Sequence, residues 1–422
     1  MPAGLRYFRA RHVAMMTGFG VIDDGCVVVD NGRIAAVGPT RDLKPSHVDV
    51  DIDGLLTPGL TNAHTHLELT NVPRPPTPGT FQDWLLTTMA SIRRPDVESF
   101  NRKRADAVRE GVAQCLKFGV TFVGDITQNV DVVRPLLAAS PLRAISYGEC
   151  LGLGPRRERF DALMRQACDP ATAAANVEIG TSPHAPYTVD ADGYRRCTSG
   201  RDGERRNGWT THVAETPDES AFIARRGGAF ADLYRALGFD PGPGDGFAGS
   251  PVQWLYRHTR GTAGGLLAHV NYCSDADIDL IAQRRGAVVW CPRTHAYFGH
   301  PPHRWRDMMA AGVTVCVGTD SCASSPDLNV MDDVRLVRRQ SPDVDAATLW
   351  SLVTTAASLA LRGATLDRIQ PSGSLTVGEQ ADLVAWPTRS GDPLAEVLET
   401  PGLHPSDVWI AGIPAHDMAG IG

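Results

Sequence analysis

The stretch Leu55-Leu-Thr-Pro-Gly-Leu-Thr-Asn-Ala-His-Thr-His-Leu-Glu68 decides the fold. An apolar run is broken by Pro58-Gly59, resumes at Leu60 and ends in His64-Thr65-His66. On a strand, residues i and i+2 face the same side. Two imidazoles placed this way reach one cation, and neutral imidazole suits zinc or iron.

The same pattern recurs downstream. Gly208-Trp-Thr-Thr-His212 is a short β-favouring run closed by His, with Glu215 three residues on. Gly265-Leu-Leu-Ala-His269 is an apolar run closed by His, and Val313-Thr-Val-Cys-Val-Gly-Thr-Asp320 is one closed by Asp. In a (β/α)₈ barrel the C-terminal ends of all strands surround one mouth, so these groups would converge there. Taken singly, each has a plain structural explanation. A strand-end His satisfies a local polar group, Asp320 caps a turn with Ser321 and Ser324, and Glu215 is a first-turn acid favoured by a helix dipole. Their joint recurrence at strand ends points to a metal site instead.

Pro58-Gly59-Leu60 through His64-Thr65-His66, then His212 with Glu215, His269 and Gly318-Thr319-Asp320-Ser321, resemble the amidohydrolase superfamily. Within it they resemble the mononuclear branch of cytosine, guanine and S-adenosylhomocysteine deaminases and triazine chlorohydrolases. The resemblance runs over nearly the whole chain. It implies one divalent metal ion, zinc first and iron as the alternative, on His64, His66, His212 and Asp320. Binuclear members carry a carboxylated lysine at the end of the fourth strand, and the run from Val177 to His184 has no lysine. His269 would then orient water and substrate without ligating. Asp320 would accept the proton of the attacking water, and Glu215 would carry a proton to the ring nitrogen and on to the leaving amine. His184, between two prolines, is similar to a substrate-contacting histidine of the branch. It also reads as a turn-stabilising residue.

Three runs, His66-Leu-Glu68-Leu69, Gly79-Thr-Phe-Gln-Asp-Trp84 and Tyr297-Phe-Gly-His-Pro-Pro302, look like aminodeoxyfutalosine deaminase-like proteins. The implied reaction is hydrolytic loss of ammonia from an adenine nucleoside on a menaquinone route. Glu68 would bind ribose hydroxyls, Trp84, Tyr297 and Phe298 would wall the ring with Phe81, and Arg293 would pair with a carboxylate. Phe81 and Trp84, at i and i+3, fit helix packing equally well, and Glu68 fits a bond to nearby loop backbone. Thr294-His295 stands where the branch has Ser-Asn, and Ser321-Cys-Ala-Ser-Ser325 departs from its Leu and Asn. Other substrates of the branch stay open: S-adenosylhomocysteine, methylthioadenosine, guanine, cytosine, or a triazine chloride. His295, His300 and His303 are too irregularly spaced to suggest a second metal.

The 422 residues hold 41 Lys and Arg against 48 Asp and Glu, well mixed, so a nucleic-acid polymer is not expected as a partner. No apolar run reaches spanning length and the N-terminus lacks a signal-peptide core, so no membrane role is expected. Nine scattered cysteines without Cys-x-x-Cys pairs suit a reduced, cytoplasmic setting. Relatives suggest a homodimer by analogy alone.

The expected architecture is α/β: a (β/α)₈ TIM-like barrel over 58–365, with a small β-sandwich built from 1–57 and 366–422. Asn31-Gly32, between Cys26-Val-Val-Val-Asp30 and Arg33-Ile-Ala-Ala-Val37, signals a hairpin. Strands are expected over 60–66, 120–126, 144–149, 177–182, 210–214, 266–270, 287–292 and 314–318. Helices are expected over 101–118, 274–285, 303–311 and 346–362. The Gly/Pro-rich 238–251 reads as a loop and part of a lid, and 192–208 has no clear assignment.

Overall fold

The computed structural model describes residues 4–17, 20–93, 96–199, 208–259, 264–362 and 373–418. Strands β1 (Arg6–Ala14), β2 (Val21–Asp30) and β3 (Arg33–Pro39) form an antiparallel meander, and β4 (Val50–Pro58) pairs with β1 in parallel. The β2–β3 turn is at Asn31-Gly32, with φ of 48° and 77°. That left-handed pair matches the twist of a two-residue hairpin.

Eight short strands follow, all predicted from the sequence. They are β5 (Leu60–Thr65), β6 (Val120–Thr127), β7 (Arg143–Cys150), β8 (Val177–Pro183), β9 (Thr210–Val213), β10 (Leu266–His269), β11 (Ala287–Trp290) and β12 (Thr314–Val317). They make two parallel four-stranded sheets, β5 to β8 and β9 to β12. Nearly every residue in them is buried, as parallel strands covered on both faces require. Single parallel bridges, Thr65 to Asp320 and Thr181 to Trp209, link an edge of one sheet to an edge of the other.

The last strands, β13 (Leu383–Trp386), β14 (Asp407–Ile410) and β15 (Ile413–Pro414), return to the N-terminal strands. β4 lies between β1 and β13, so both ends of the chain share one seven-stranded sheet. The β-sandwich expected from 1–57 and 366–422 draws on these strands, which hydrogen-bond in one continuous order. Phe8 meets Trp409 edge-on at 5.5 Å within its apolar cluster.

The expected 346–362 helix is two, Ala346–Ser351 and Thr355–Arg362. The break has a reason in the strands beside it. The carbonyls of Leu352 and Val353 accept from Val317 N and Thr61 N, both at 2.9 Å. They satisfy backbone donors of β12 and β5 that a continuous helix would leave without a partner. The unassigned region holds a helix, Ala191–Thr198, capped by Asp190 accepting from Gly193 N at 2.8 Å; residues 200–207 lie outside the described residues. The expected loop at 238–251 is irregular up to Ser250, which caps a helix from Pro251 to His258. No helix among the described residues is long and apolar enough to cross a membrane.

One buried ion pair ties the seven-stranded sheet to the parallel strands. The carboxylate of Asp382 meets the guanidinium of Arg143 on β7, with side chains 0% and 6% exposed. Asp382 also accepts from Ala411 N at 3.0 Å, and its carbonyl accepts from Gly59 N at 2.8 Å. Asp382→Ala removes the carboxylate while the arginine stays buried, so a loss of about 3–5 kcal/mol is expected. Urea unfolding checks this, and an unchanged midpoint contradicts it.

Candidate functional site

The β5–β12 seam sets the site. His64 O accepts from both Thr319 N, at 3.1 Å, and Asp320 N, at 3.0 Å. Asn62 clamps the same contact, donating to Thr319 Oγ1 at 2.7 Å and accepting from Thr319 N at 3.1 Å. Gly318 permits the approach, since a Cβ there would lie 2.7 Å from His64 O. The result is that His64, His66 and Asp320 face one point. His64 Nε2 and His66 Nε2 are 3.8 and 3.6 Å from Asp320 Oδ1. His212, on β9, brings its ring to 4.9 Å from that of His64 and 5.4 Å from that of His66. His269, at the end of β10, stands 5.5 Å from His64.

Two overlapping groups, His64–His66–Asp320 and His64–His212–His269, have all their donor atoms within 4.8 Å of one another. His64 is fully buried with neither ring nitrogen hydrogen-bonded, and His269 Nε2 is likewise without a partner. A buried polar atom left unsatisfied costs about 1–3 kcal/mol. Burial, then the neighbouring imidazoles His212 and His66, holds His64 well below the ordinary histidine range. Burial, then His184, takes His212 down to about 4. The rings are therefore neutral and offer lone pairs, the form in which imidazole ligates. His212 Nδ1 is engaged by His184 O at 3.0 Å, which leaves Nε2 for the site. Asp320 is oriented by Ser321 N at 2.8 Å and Ser324 Oγ at 3.0 Å. Clustered neutral imidazoles with one carboxylate and unsatisfied nitrogens fit a divalent metal ion.

The backbone is strained where it delivers these groups. Ala214, His269, Val270 and Asp320 all take positive φ, of 51°, 72°, 49° and 60°. Non-glycine residues held so cost of order 1–3 kcal/mol each. Glu219 anchors one of these turns, its carboxylate accepting from Ala214 N at 2.9 Å, Glu215 N at 2.6 Å and Thr216 N at 3.2 Å. That turn aims Glu215 inward. Its Oε1 is 3.5 Å from His269 Nε2, and its Oε2 accepts from Tyr187 Oη at 3.4 Å. Burial, with Asp320 and Glu219 adding, pushes the Glu215 carboxyl well above its usual range.

A cavity of about 410 Å³ opens from this point. His66, His212, Glu215 and Asp320 line its floor, and Glu68, Trp84 and His184 line its walls as the sequence suggested. Phe81 lines it as well. His64 and His269 lie behind the lining, and three residues expected to contact substrate are absent from it. Arg293 is buried outside it, its guanidinium bonded to Asp333 at 2.9 Å and Asp327 at 2.7 Å and to the Asp327 and Asn329 carbonyls. It is a structural arginine, which corrects its assignment to a substrate carboxylate. Tyr297 donates to Pro75 O at 2.9 Å, and Phe298 packs edge-on behind Trp84 at 5.1 Å. Glu68 does face the cavity, and its carboxylate accepts from Gln128 N at 3.0 Å and Asn129 Nδ2 at 2.6 Å. Each oxygen keeps a second acceptor site, so Glu68 is braced by these groups and not filled by them. None of residues 238–251 lines the cavity, so they form no lid in this structure.

His295, His300 and His303 join no metal-capable group among the described residues. They bond Asn271 Oδ1 at 2.9 Å, Tyr272 Oη at 3.0 Å and His269 O at 2.8 Å, and so brace the β10 end. Glu149, Gln128 and Arg159 also line the cavity and were not anticipated. Glu149 carried a usable signal, because it stands near the end of a buried strand as His212 does.

Comparison with known proteins agrees with this geometry. Residues 55–413 match the Amidohydrolase family, and residues 25–47 match an imidazolonepropionase-like composite domain of bacteria. Aminodeoxyfutalosine deaminase of Deinococcus radiodurans is 28% identical over 348 residues, covering 78% of this chain and 79% of that protein. 5-Methylthioadenosine/S-adenosylhomocysteine deaminase of Desulforudis audaxviator is 27% identical over 381 residues, covering 86% and 80%. The crystal structure of an adenosine deaminase from Xanthomonas campestris with bound zinc superposes with a TM-score of 0.77 at 25% identity, covering 97% of this chain and 92% of that one. By the family match over most of its length, this chain belongs to the amidohydrolase family.

Proposed function

We propose that this chain is a metal-dependent hydrolytic deaminase of an adenine-type nucleoside, with aminodeoxyfutalosine the first candidate substrate and zinc the first candidate metal. We also read β5 to β12 as one (β/α)₈ barrel, supported by the bridges at Thr65–Asp320 and Thr181–Trp209. The same reading sets the protein to work in the cytoplasm, as a homodimer, on a small molecule. A cavity of about 410 Å³ suits such a ligand.

The observation that carries the reading is Glu215. It is a buried carboxyl that desolvation, with Asp320 and Glu219 adding, raises well above its usual range, and it faces a cavity beside His269. Such an acid delivers a proton to the ring nitrogen next to the carbon under attack. As the carbonyl forms, Glu215 collects the remaining hydroxyl proton from the attacked carbon and passes it to the departing amine, and the proton held by Asp320 then restores Glu215. His64, His66, His212 and Asp320 would hold the divalent ion, which would supply Lewis-acid activation of water there. Asp320, its carboxyl raised to about 6 by burial, takes the proton that the water gives up. His269, with its free Nε2 toward Glu215, orients the incoming water.

One relative is named a deaminase of aminodeoxyfutalosine and the other of 5-methylthioadenosine and S-adenosylhomocysteine. 5-Methylthioadenosine or S-adenosylhomocysteine is therefore the second reading. Ammonia release from aminodeoxyfutalosine, 5-methylthioadenosine, S-adenosylhomocysteine, adenosine, guanine and cytosine separates them. Release from one adenine nucleoside is expected, and release only from guanine or cytosine would contradict the proposal. Glu215→Gln should keep its metal and lose about 10²–10⁴ in kcat, while near-normal turnover removes Glu215 from the chemistry. Chelation, and separately His212→Ala, should strip the metal and abolish turnover, with metal content read by elemental analysis. Full activity in metal-free protein would sink the metal-dependent reading.

A further inference from the structure

Glu149 is the cavity-lining carboxylate whose bonds are unfinished. It is 5% exposed and lines the cavity. Its Oε2 accepts from Gln128 Nε2 at 2.7 Å, and Gln128 is in turn held by Arg159. Its Oε1 has no hydrogen-bond partner. The nearest facing donor is His184 Nε2, 3.9 Å away, beyond hydrogen-bond reach.

The Glu149 side sets the tautomer of His184, because the Thr188 hydroxyl can serve Nδ1 as a donor or, when it donates to Ala185 O at 3.2 Å, as an acceptor. Nδ1 lies 2.7 Å from Thr188 Oγ1. With the proton on Nε2, that hydroxyl donates to Nδ1 and an N–H faces the Glu149 oxygen. The other tautomer would set two acceptors against each other. An oxygen about 2.8 Å from each atom fits a gap of this width. It must accept from His184 and donate to Glu149, which a hydroxyl does and an ether oxygen does not.

Glu149, His184 and His212 could also be taken for a second metal site, since their donor atoms lie within 4.8 Å of one another. His212 argues against it. Its Nδ1 is engaged by the His184 carbonyl, so it has one nitrogen to give, and a donor atom of His212 already belongs to the group with His64 and His269.

Resting on the deaminase reading, we infer that Glu149 and His184 form the subsite that reads a sugar hydroxyl of the nucleoside. Glu149 Oε1 accepts the hydroxyl proton and His184 Nε2 donates to its oxygen. This sets Glu149, with its bare Oε1, beside Glu68 as a second carboxylate for the sugar. The substrate class narrows to nucleosides that keep the hydroxyl on this side of the ring.

The test is a substrate-by-variant cycle with adenosine, 2′-deoxyadenosine and 3′-deoxyadenosine on metal-loaded wild type, Glu149→Ala and Glu149→Gln. It reads kcat/KM where the nucleoside is turned over and the inhibition constant where it is not. Wild type should prefer adenosine over one of the two deoxy forms. In Glu149→Ala that preference should shrink by about 10- to 100-fold, the worth of a hydrogen bond to a charged group. Glu149→Gln, which keeps an acceptor oxygen, should recover part of it. Calorimetric binding of the same nucleosides to the Glu215→Gln form should show the same pattern. An unchanged preference in Glu149→Ala, with ammonia still released by wild type, overturns this subsite and leaves the deaminase standing. Loss of metal in Glu149→Ala overturns it in favour of a ligand role. Wild type that neither binds nor turns over any nucleoside overturns both readings.

Discussion

The site depends on the contact between the end of β5 and the residues after β12. One carbonyl, that of His64, receives two successive N–H groups from Thr319 and Asp320. The approach is close enough that position 318 has no room for a side chain, and the Asn62 amide closes it from the side. Residues far apart in the chain thereby become neighbours. The two histidines of the opening motif and Asp320 meet because their backbones meet first. The backbone of Asp320 is held left-handed by this contact, so its strain belongs to the seam and not to a loose loop.

Burial then sets the chemistry. Sheets packed on both faces exclude water, and every polar group at their ends feels it. The histidines stay neutral and the carboxyls of Glu215, Glu219 and Asp320 rise. Neutral imidazoles make ligands, and a protonated acid makes a proton donor. One physical cause therefore prepares both halves of a hydrolytic reaction. The cost appears at the site as unsatisfied nitrogens on His64 and His269 and as positive φ at Ala214, His269, Val270 and Asp320.

Much of this was legible because the signal is local. An apolar run closed by His or Asp identifies a buried strand and its polar end together, so β5, β9, β10 and β12 were readable with their functional residues. What failed depended on partners distant in sequence. Arg293 looked available until Asp333 and Asp327 were seen to close on its guanidinium. Glu68 was read as a sugar acceptor or as a partner of loop backbone, and the bond from Gln128 N belongs to the second reading. The long helix after 346 was divided by strand donors at Thr61 and Val317 that no helical periodicity records. Glu149 obeyed the strand-end rule but carried no motif to single it out.

Anomalous diffraction from crystals of the metal-loaded protein, at the absorption edge of the bound ion, tests the central claim most directly. One peak per chain is expected, about 2.0–2.2 Å from nitrogens of His64, His66 and His212 and an oxygen of Asp320. A peak seated on Glu149, His184 and His212, or no peak within reach of His64, would contradict it.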